Sequence, residues 1–447
     1  MNERLPQAMA NAFDPAKAGA LSPDQQSMVA RRQRLLGPAY RLFYEEPLHL
    51  VRGEGVWLFD QDGNGYLDVY NNVASVGHCH PRVVDAIARQ AALLNTHTRY
   101  LHDTILEYAE RLLATFPPEL GHVMFTCTGS EANDLALRLA GAFTGASGII
   151  VTEHAYHGVT SAMSQLSPSL GRDVPRGNHV RLVPAPDSYR ASGDVGTSFA
   201  ADVSDAIDSL NADGFGVAAL ICDTVFSSDG VFTEPAGFLR GAVDEVRKAG
   251  GLFIADEVQP GFGRLGEALW GFARHGLTPD LVSLGKPMGN GHPVAGLVMQ
   301  PRLVAEFGRK ARYFNTFGGN PVSCAAAMAT LAVIQEEGLQ ANAARVGTHL
   351  IKGLKQLGER FEAIGDVRGC GLFVGVELVC DRKTKTPDAV TAGWLVNELR
   401  RNRILISATG PHGNILKIRP PLVFAEEHAD LLLDGLRAGL SSAPQQV

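Results

Sequence analysis

Three short stretches carry residues whose types and spacing suit chemistry. Lys286 ends a short apolar run in "SLGKPMGNGHPVAG" and is followed at once by Pro287, Gly289, Gly291 and Pro293. A lysine placed for solubility needs no rigid, glycine-lined setting, because water alone satisfies a solvated ammonium. Pro287 biases the residue before it away from helix, which holds Lys286 extended, and the glycines let backbone and ligand come close. A lysine partly desolvated in such a place is less basic than one in water, which suits Schiff-base chemistry. Asp256 ends an earlier apolar run in "FIADEVQPGFGR". Residues at neighbouring strand ends meet in one cleft, so Asp256 and Lys286 are expected to share a ligand. In "TCTGSEAN", Thr128, Gly129 and Ser130 stand between a strand-like run and a helical pattern. A helix start with a glycine offers unsatisfied N–H groups and a partial positive charge to a phosphate; an ordinary N-cap by Thr128 or Ser130 explains the same residues.

An anchored phosphate, a carboxylate for a ring nitrogen and a lysine for an aldehyde are what pyridoxal phosphate requires of a protein. The dinucleotide alternative fails, since "GNGHPVAG" does not follow a first strand or open a helix as G-x-G-x-x-G. Other motifs read as structure. "DQDGNGYLD" begins like a calcium loop, but its twelfth position is Asn71 instead of a bidentate Glu, so it is read as a hairpin turn. "GHCHP" offers two histidines and a cysteine with no second cluster to complete a tetrahedral site, and no metal is expected. Pro81 there is read as opening a helix. The six cysteines are scattered, with no C-x-x-C pair, which fits reduced and mostly buried thiols.

The elements that must position these residues alternate. "HVMFTCT", "GIIVTEHA", "VAALICDTVF", "GLFIADEV", "LVSLG" and "AGLVMQ" are strand candidates, several of them continuously apolar, as strands covered on both faces are. Ala132, Leu135, Ala136, Leu139, Ala140 and Phe143 recur at helical spacing between the first two. An α/β fold follows, with a mostly parallel central sheet. At the ends, "GVWLFDQDGNGYLDVY" reads as a hairpin, while "VRGCGLFVGVELV" and "ILKIRPPLVF" flank a helical stretch. Both termini are therefore expected to combine into a smaller α+β domain: residues 1–75 as its N-terminal segment, 76–330 as the large domain and 331–447 as its C-terminal part.

With 447 residues, 45% hydrophobic and 19% charged, the chain has the composition of a soluble globular protein. No run approaches the roughly 18 to 20 apolar residues of a membrane span. Net charge is −7, without a long Lys/Arg block, so neither nucleic acid nor an anionic membrane is an expected partner. The first forty residues lack an apolar signal core, and a cytoplasmic location is the default expectation.

The motifs recur together, in order. "GVWLFDQDGNGYLD", "GHCHPRVVDAIARQ", "TGSEANDLALRLA", "AYHG", "IADEVQPGFGR", "PDLVSLGKPMGNGHPVAG", "NTFGGNPVSCAAA" and "GNILKIRPPLVF" make residues 45 to 430 resemble the class III aminotransferase family, pyridoxal phosphate enzymes of fold type I. The resemblance implies Lys286 as the cofactor-bound lysine and general base, and Asp256 as partner of the ring nitrogen. It implies Gly129 and Ser130 at the cofactor phosphate, with Thr316 reaching in from the second subunit of a homodimer whose active site lies at the interface. Tyr156 and Val258 would flank the ring, and Gln259 would contact its hydroxyl.

"NNVASVGHCHP", "LLNTHTRYLHD" and "GKPMGNGHPVA" are most similar to the alanine–glyoxylate aminotransferase 2-like branch, which contains phospho-lyases acting on O-phosphoethanolamine or phosphohydroxylysine as well as transaminases. Many family transaminases bind the substrate carboxylate with an arginine before "PPL"; the matching position here is Lys417, a point charge less suited to a planar carboxylate. "CDTVFSSDG" departs from the Glu-Pro-x-Gln often found in the family, with Asp223 keeping the acid and Phe226 standing where the amide would be. The expected substrate is a small phosphorylated amine, and Tyr70, Asn72, Arg99, Lys417 and Arg419 are candidates to hold its phosphate.

Overall fold

The computed structural model describes residues 11–443. After a helix, Pro23–Leu36, come three strands, β1 (Leu50–Glu54), β2 (Trp57–Asp60) and β3 (Gly65–Asp68). The turn joining β2 to β3 is the expected hairpin: the Asp60 carboxylate accepts hydrogen bonds from the N–H groups of Asp62 and Asn64 and from the Asn64 side chain. His78 of "GHCHP" pairs with Asp68 at 2.7 Å, and Pro81 opens the helix Pro81–Leu93.

The central sheet has seven strands: β4 (His122–Thr126), β5 (Gly148–Thr152), β6 (Val180–Val183), β7 (Val217–Asp223), β8 (Leu252–Asp256), β9 (Leu281–Leu284) and β10 (Ala295–Met299). Their order is β4-β10-β9-β8-β7-β5-β6, and β10 alone runs antiparallel to its neighbours. β5, β8, β9 and β10 are buried along their whole length, the reason these runs are continuously apolar. β6 escaped the sequence reading because it is a four-residue edge strand with Arg181 in its middle, so neither length nor apolar continuity marks it.

The remaining strands are β11 (Ile364–Cys370), β12 (Phe373–Asp381), β13 (Thr386–Pro387), β14 (Ile404–Leu405), β15 (Ser407–Thr409) and β16 (Ile415–Ile418). β14 pairs in parallel with β3, Ile404 opposite Leu67, so the two ends of the chain share one sheet. β11, β12, β16 and β15 form a second antiparallel sheet, over which the helices Leu339–Arg360 and Ala389–Arg401 pack. The fold is thus α/β, with a large domain around a mostly parallel sheet and a smaller α+β domain drawn from both termini.

Candidate active site

Parallel strands bring their carboxyl ends to one edge of the sheet. Asp223 is the last residue of β7 and Asp256 the last of β8, directly opposite in register, and Lys286 follows two residues after β9 ends. The pocket at this edge is lined by these three residues and by Gly129, Ser130, Asn133, Tyr156, His157, Gly158, Val258 and Gln259. Seven of the eight expected cofactor residues therefore converge here, all but Thr316: Gly129, Ser130, Tyr156, Asp256, Val258, Gln259 and Lys286.

Asp256 sits at the base. Its Oδ2 accepts from the Asn133 amide at 2.9 Å and lies 2.8 Å from His157 Nδ1, and its Oδ1 accepts the Val258 N–H at 3.1 Å. Burial alone would raise the pKa of this carboxyl. The hydrogen bond and charge of His157, the Asn133 amide and the nearby Lys286 outweigh it and hold Asp256 below the usual carboxylate value. His157 is itself fixed: its N–H donates to Ser167 Oγ at 2.9 Å, and its carbonyl accepts from Asn133 at 2.9 Å. Sequence reasoning passed over His157 and Asn133, although "AYHG" and "SEAND" contain them; no local signal says that a histidine 99 positions and an asparagine 123 positions before Asp256 will meet it.

Glu257, the next residue, has a different fate. It turns into the core, where the N–H groups of Gly271 and Phe272 donate at 2.8 Å each and Thr224 Oγ1 at 3.1 Å. Lys286 faces the pocket. Its Nζ lies 5.8 Å from the Tyr156 ring centroid, and among the described residues no acceptor is within hydrogen-bond reach. Burial, helped by the Arg419 charge and opposed by Asp256 and Asp223, lowers its pKa to about 8.

The pocket walls are close-fitted. A Cβ at Gly129 would meet Val258 Cγ2 at 2.9 Å, and one at Gly158 would meet Ser130 Oγ at 2.5 Å. Both glycines are demanded by close approach, which brings the Tyr156 loop onto the helix start. Thr128 does cap the helix Gly129–Thr144, in a capping box: its hydroxyl accepts the Glu131 N–H, and Glu131 Oε2 accepts the Thr128 and Cys127 N–H groups at 3.1 and 2.8 Å. Of the two readings of "TCTGSEAN", the cap falls on Thr128, and Gly129 and Ser130 line the pocket.

Three of the substrate candidates cluster beside Gln259. Arg419 donates to the side-chain oxygens of Gln259 and Asn72, its guanidinium lies 4.4 Å above the Tyr70 ring, and Asn72 donates to the Gln259 carbonyl at 3.3 Å. Lys417, on β16, is buried, with Nζ 5.8 Å from the Phe373 ring centroid and no acceptor in hydrogen-bond reach among the described residues. Burial and the Arg419 and Lys286 charges push its pKa well down, against the pull of Asp223 and Asp229.

Phe226 does not stand in for the missing amide. It packs into the core against Phe199 and Phe238, and Ser227 takes the polar role, its Oγ accepting from Gln259 Nε2 at 2.6 Å and its N–H reaching Asp223. Arg99 and Thr316 lie outside this pocket: both are exposed, with Arg99 stacked 3.7 Å from the Phe314 ring. A single chain does not bring them to Lys286.

These features fit pyridoxal phosphate: an ionised carboxylate held by three donors, a lysine with no protein acceptor, a helix start, and an aromatic and a branched wall that a single Cβ would disrupt. They define an enzyme of the pyridoxal phosphate-dependent class. The family model for class III aminotransferases matches residues 43–440, and the chain belongs to that family. It is 44% identical over 434 residues to the alanine–glyoxylate aminotransferase 2-like protein of Drosophila melanogaster, covering 94% of this chain and 87% of that one. It is 38% identical to ethanolamine-phosphate phospho-lyase homolog 1 of Caenorhabditis elegans, covering 90% and 91%. A solved phospholyase from Arthrobacter in complex with phosphoethanolamine superposes with a TM-score of 0.91 at 44% identity, over 93% of this chain and all of that one. Pyridoxal phosphate is accordingly the cofactor.

Proposed function

We propose that the enzyme is a phospho-lyase that converts O-phosphoethanolamine and water into acetaldehyde, ammonia and inorganic phosphate. The observation that carries this reading is the surplus of cationic groups at the pocket: Lys417 is buried without a hydrogen-bonded acceptor, at the position where family transaminases carry a carboxylate-binding arginine, with Arg419 and Lys286 close enough for their charges to bear on it. A dianionic phosphate matches that excess. The likeness to the phosphoethanolamine complex supports the same substrate.

Gly129 and Ser130 would hold the cofactor phosphate, Tyr156 and Val258 its ring faces, and Asp256 a proton on its ring nitrogen. When bound, the cofactor supplies an electron sink for the substrate carbon that carries nitrogen. Lys286 would take the proton from that carbon; its pKa, lowered to about 8, makes the neutral amine far more accessible near physiological pH than in a solvated lysine. Tyr70, Asn72, Lys417 and Arg419 would orient the substrate phosphate for departure.

The site is completed in a homodimer, on this reading. Leu93, Leu101 and Phe317 are 79%, 97% and 69% exposed and flank Arg99 and Thr316 in sequence, an apolar face suited to a second copy. The experiment is direct: incubate purified protein with O-phosphoethanolamine and no keto acid. Phosphate and acetaldehyde are expected in equal amounts. Their absence, with alanine formed rapidly from pyruvate and an amine, would assign an aminotransferase instead; phosphate released only from phosphohydroxylysine would move the substrate within the same class.

A further inference from the structure

Two carboxyl groups end neighbouring strands in the pocket, and they are not equivalent. Asp256 has three donors, two of them side chains: His157 Nδ1, the Asn133 amide and the Val258 N–H. Asp223, opposite it, has no charged donor among the described residues: it accepts from the Val225 N–H at 3.0 Å and the Ser227 N–H at 3.3 Å, with the Ser227 side chain also contributing. Two carboxyls on paired strand ends disfavour double ionisation, and the proton goes to the one with the poorer donors.

The charged groups that bear on Asp223 come from every element around it: Asp256 and Glu257 from the end of β8, Lys286 after β9, Lys417 on β16, and Asp229 farther along its own segment. Burial, then the charge of Asp256, raises the Asp223 pKa, while the Ser227 and Val225 hydrogen bonds and Lys417 oppose the rise.

A phospho-lyase needs such a proton. When the carbon–oxygen bond of a phosphomonoester dianion breaks, phosphate departs as a trianion, a poor leaving group, unless a proton reaches the bridging oxygen in the same step. We infer that Asp223 is the general acid of the elimination, delivering its carboxyl proton to the bridging oxygen of the substrate phosphate. The bond pair leaves with that oxygen, the product is hydrogen phosphate, and Asp223 is left ionised. The proton that Lys286 took from carbon then restores it, so that one proton in all passes from carbon to phosphate. This rests on the phospho-lyase reading and adds to it a role for the second strand-end carboxyl.

The test compares two substrates in the holoenzyme. Chloride leaves without protonation, so 2-chloroethylamine needs no acid where O-phosphoethanolamine does. Asp223→Asn is expected to lower phosphate release by about 10²- to 10⁴-fold, the range for loss of a general acid, while chloride elimination stays within a few-fold of wild type. Asp223→Glu is expected to recover part of the phosphate release. Independently of turnover, the infrared difference spectrum between wild type and Asp223→Asn should contain the carbonyl stretch of a protonated carboxyl at neutral pH. Undiminished phosphate release in Asp223→Asn, equal loss of both reactions, or no protonated-carboxyl band would each overturn the assignment. Wild type that releases no phosphate would instead overturn the phospho-lyase reading beneath it.

Discussion

Buried charge is arranged in opposite ways in two parts of the molecule. Where β11 and β12 meet the large domain, Glu377 is 1% exposed and forms ion pairs with Arg368 at 2.8 Å and with Arg190. Arg368 also meets Asp366 at 2.8 Å and donates to the carbonyls of Gly230 and Val231. Its charges are matched within the protein. At the pocket, Lys286 and Lys417 are desolvated with no hydrogen-bonded acceptor among the described residues, and Asp223 and Asp256 end neighbouring strands in register. A matched cluster is finished on folding and holds two elements together. An unmatched one stores an electrostatic demand that cofactor and substrate can meet, and its groups are therefore the ones whose pKa values are displaced toward reactive ranges.

Experiments can break each side of that contrast. The largest effect is expected from Lys286→Ala, which removes the proposed covalent and proton-transfer group: turnover should fall by about 10³-fold or more, with circular dichroism little changed. Full activity in this variant would remove Lys286 from the mechanism. Glu377→Gln strikes the matched cluster and leaves two guanidinium groups facing a neutral amide; a destabilisation of about 3 kcal/mol is expected, read by urea denaturation, while kcat of the folded fraction stays near wild type. A stable variant with impaired kcat would mean that the two clusters are not separate in function.

Titration sharpens the comparison further. The folded chain holds the Lys286 proton less tightly than the unfolded chain, so between about pH 8 and its ordinary 10.5 the unfolded state binds more protons and apoprotein stability rises with pH. Below about pH 8 the burial penalty is present in full. Lys286→Met should lose this rise in a pH series of denaturation midpoints; identical slopes in the two proteins would contradict a depressed lysine. The smallest effect is expected for Thr128→Ala, which leaves every pocket charge in place and breaks the capping box. It should cost about 1 kcal/mol, with cofactor affinity, followed by fluorescence titration, changing less than stability.

Much of this was legible in the chain because each signal was local. Continuous apolar runs mark β5, β7, β8, β9 and β10 since both their faces are covered, and Pro287 and the glycines mark Lys286 since they act within a few residues of it. β6 was missed because an edge strand of four residues imposes no such pattern. Phe226 stands where the family's amide would be, but residue type does not say what takes over the amide's contacts. With a φ of 51° Phe226 packs on Phe199 and Phe238, and Ser227 instead bonds Gln259, an arrangement that residue types alone do not reveal. His157 and Asn133 were passed over for the opposite reason: their roles exist only where separate strand ends converge.

The sequence alone determined the cofactor class, the lysine and carboxylate proposed to serve it, and the alternation of elements that carries them, because these depend on residue type, spacing and periodicity. The tertiary structure decided which neighbours each charge would have. It set Asp256 among three donors and Asp223 among two, turned Glu257 into the core, and left Lys417 buried without an acceptor. A pKa, and with it the part a group can play, is set by burial and by charges brought together from distant segments, and that information arises only once the chain has folded.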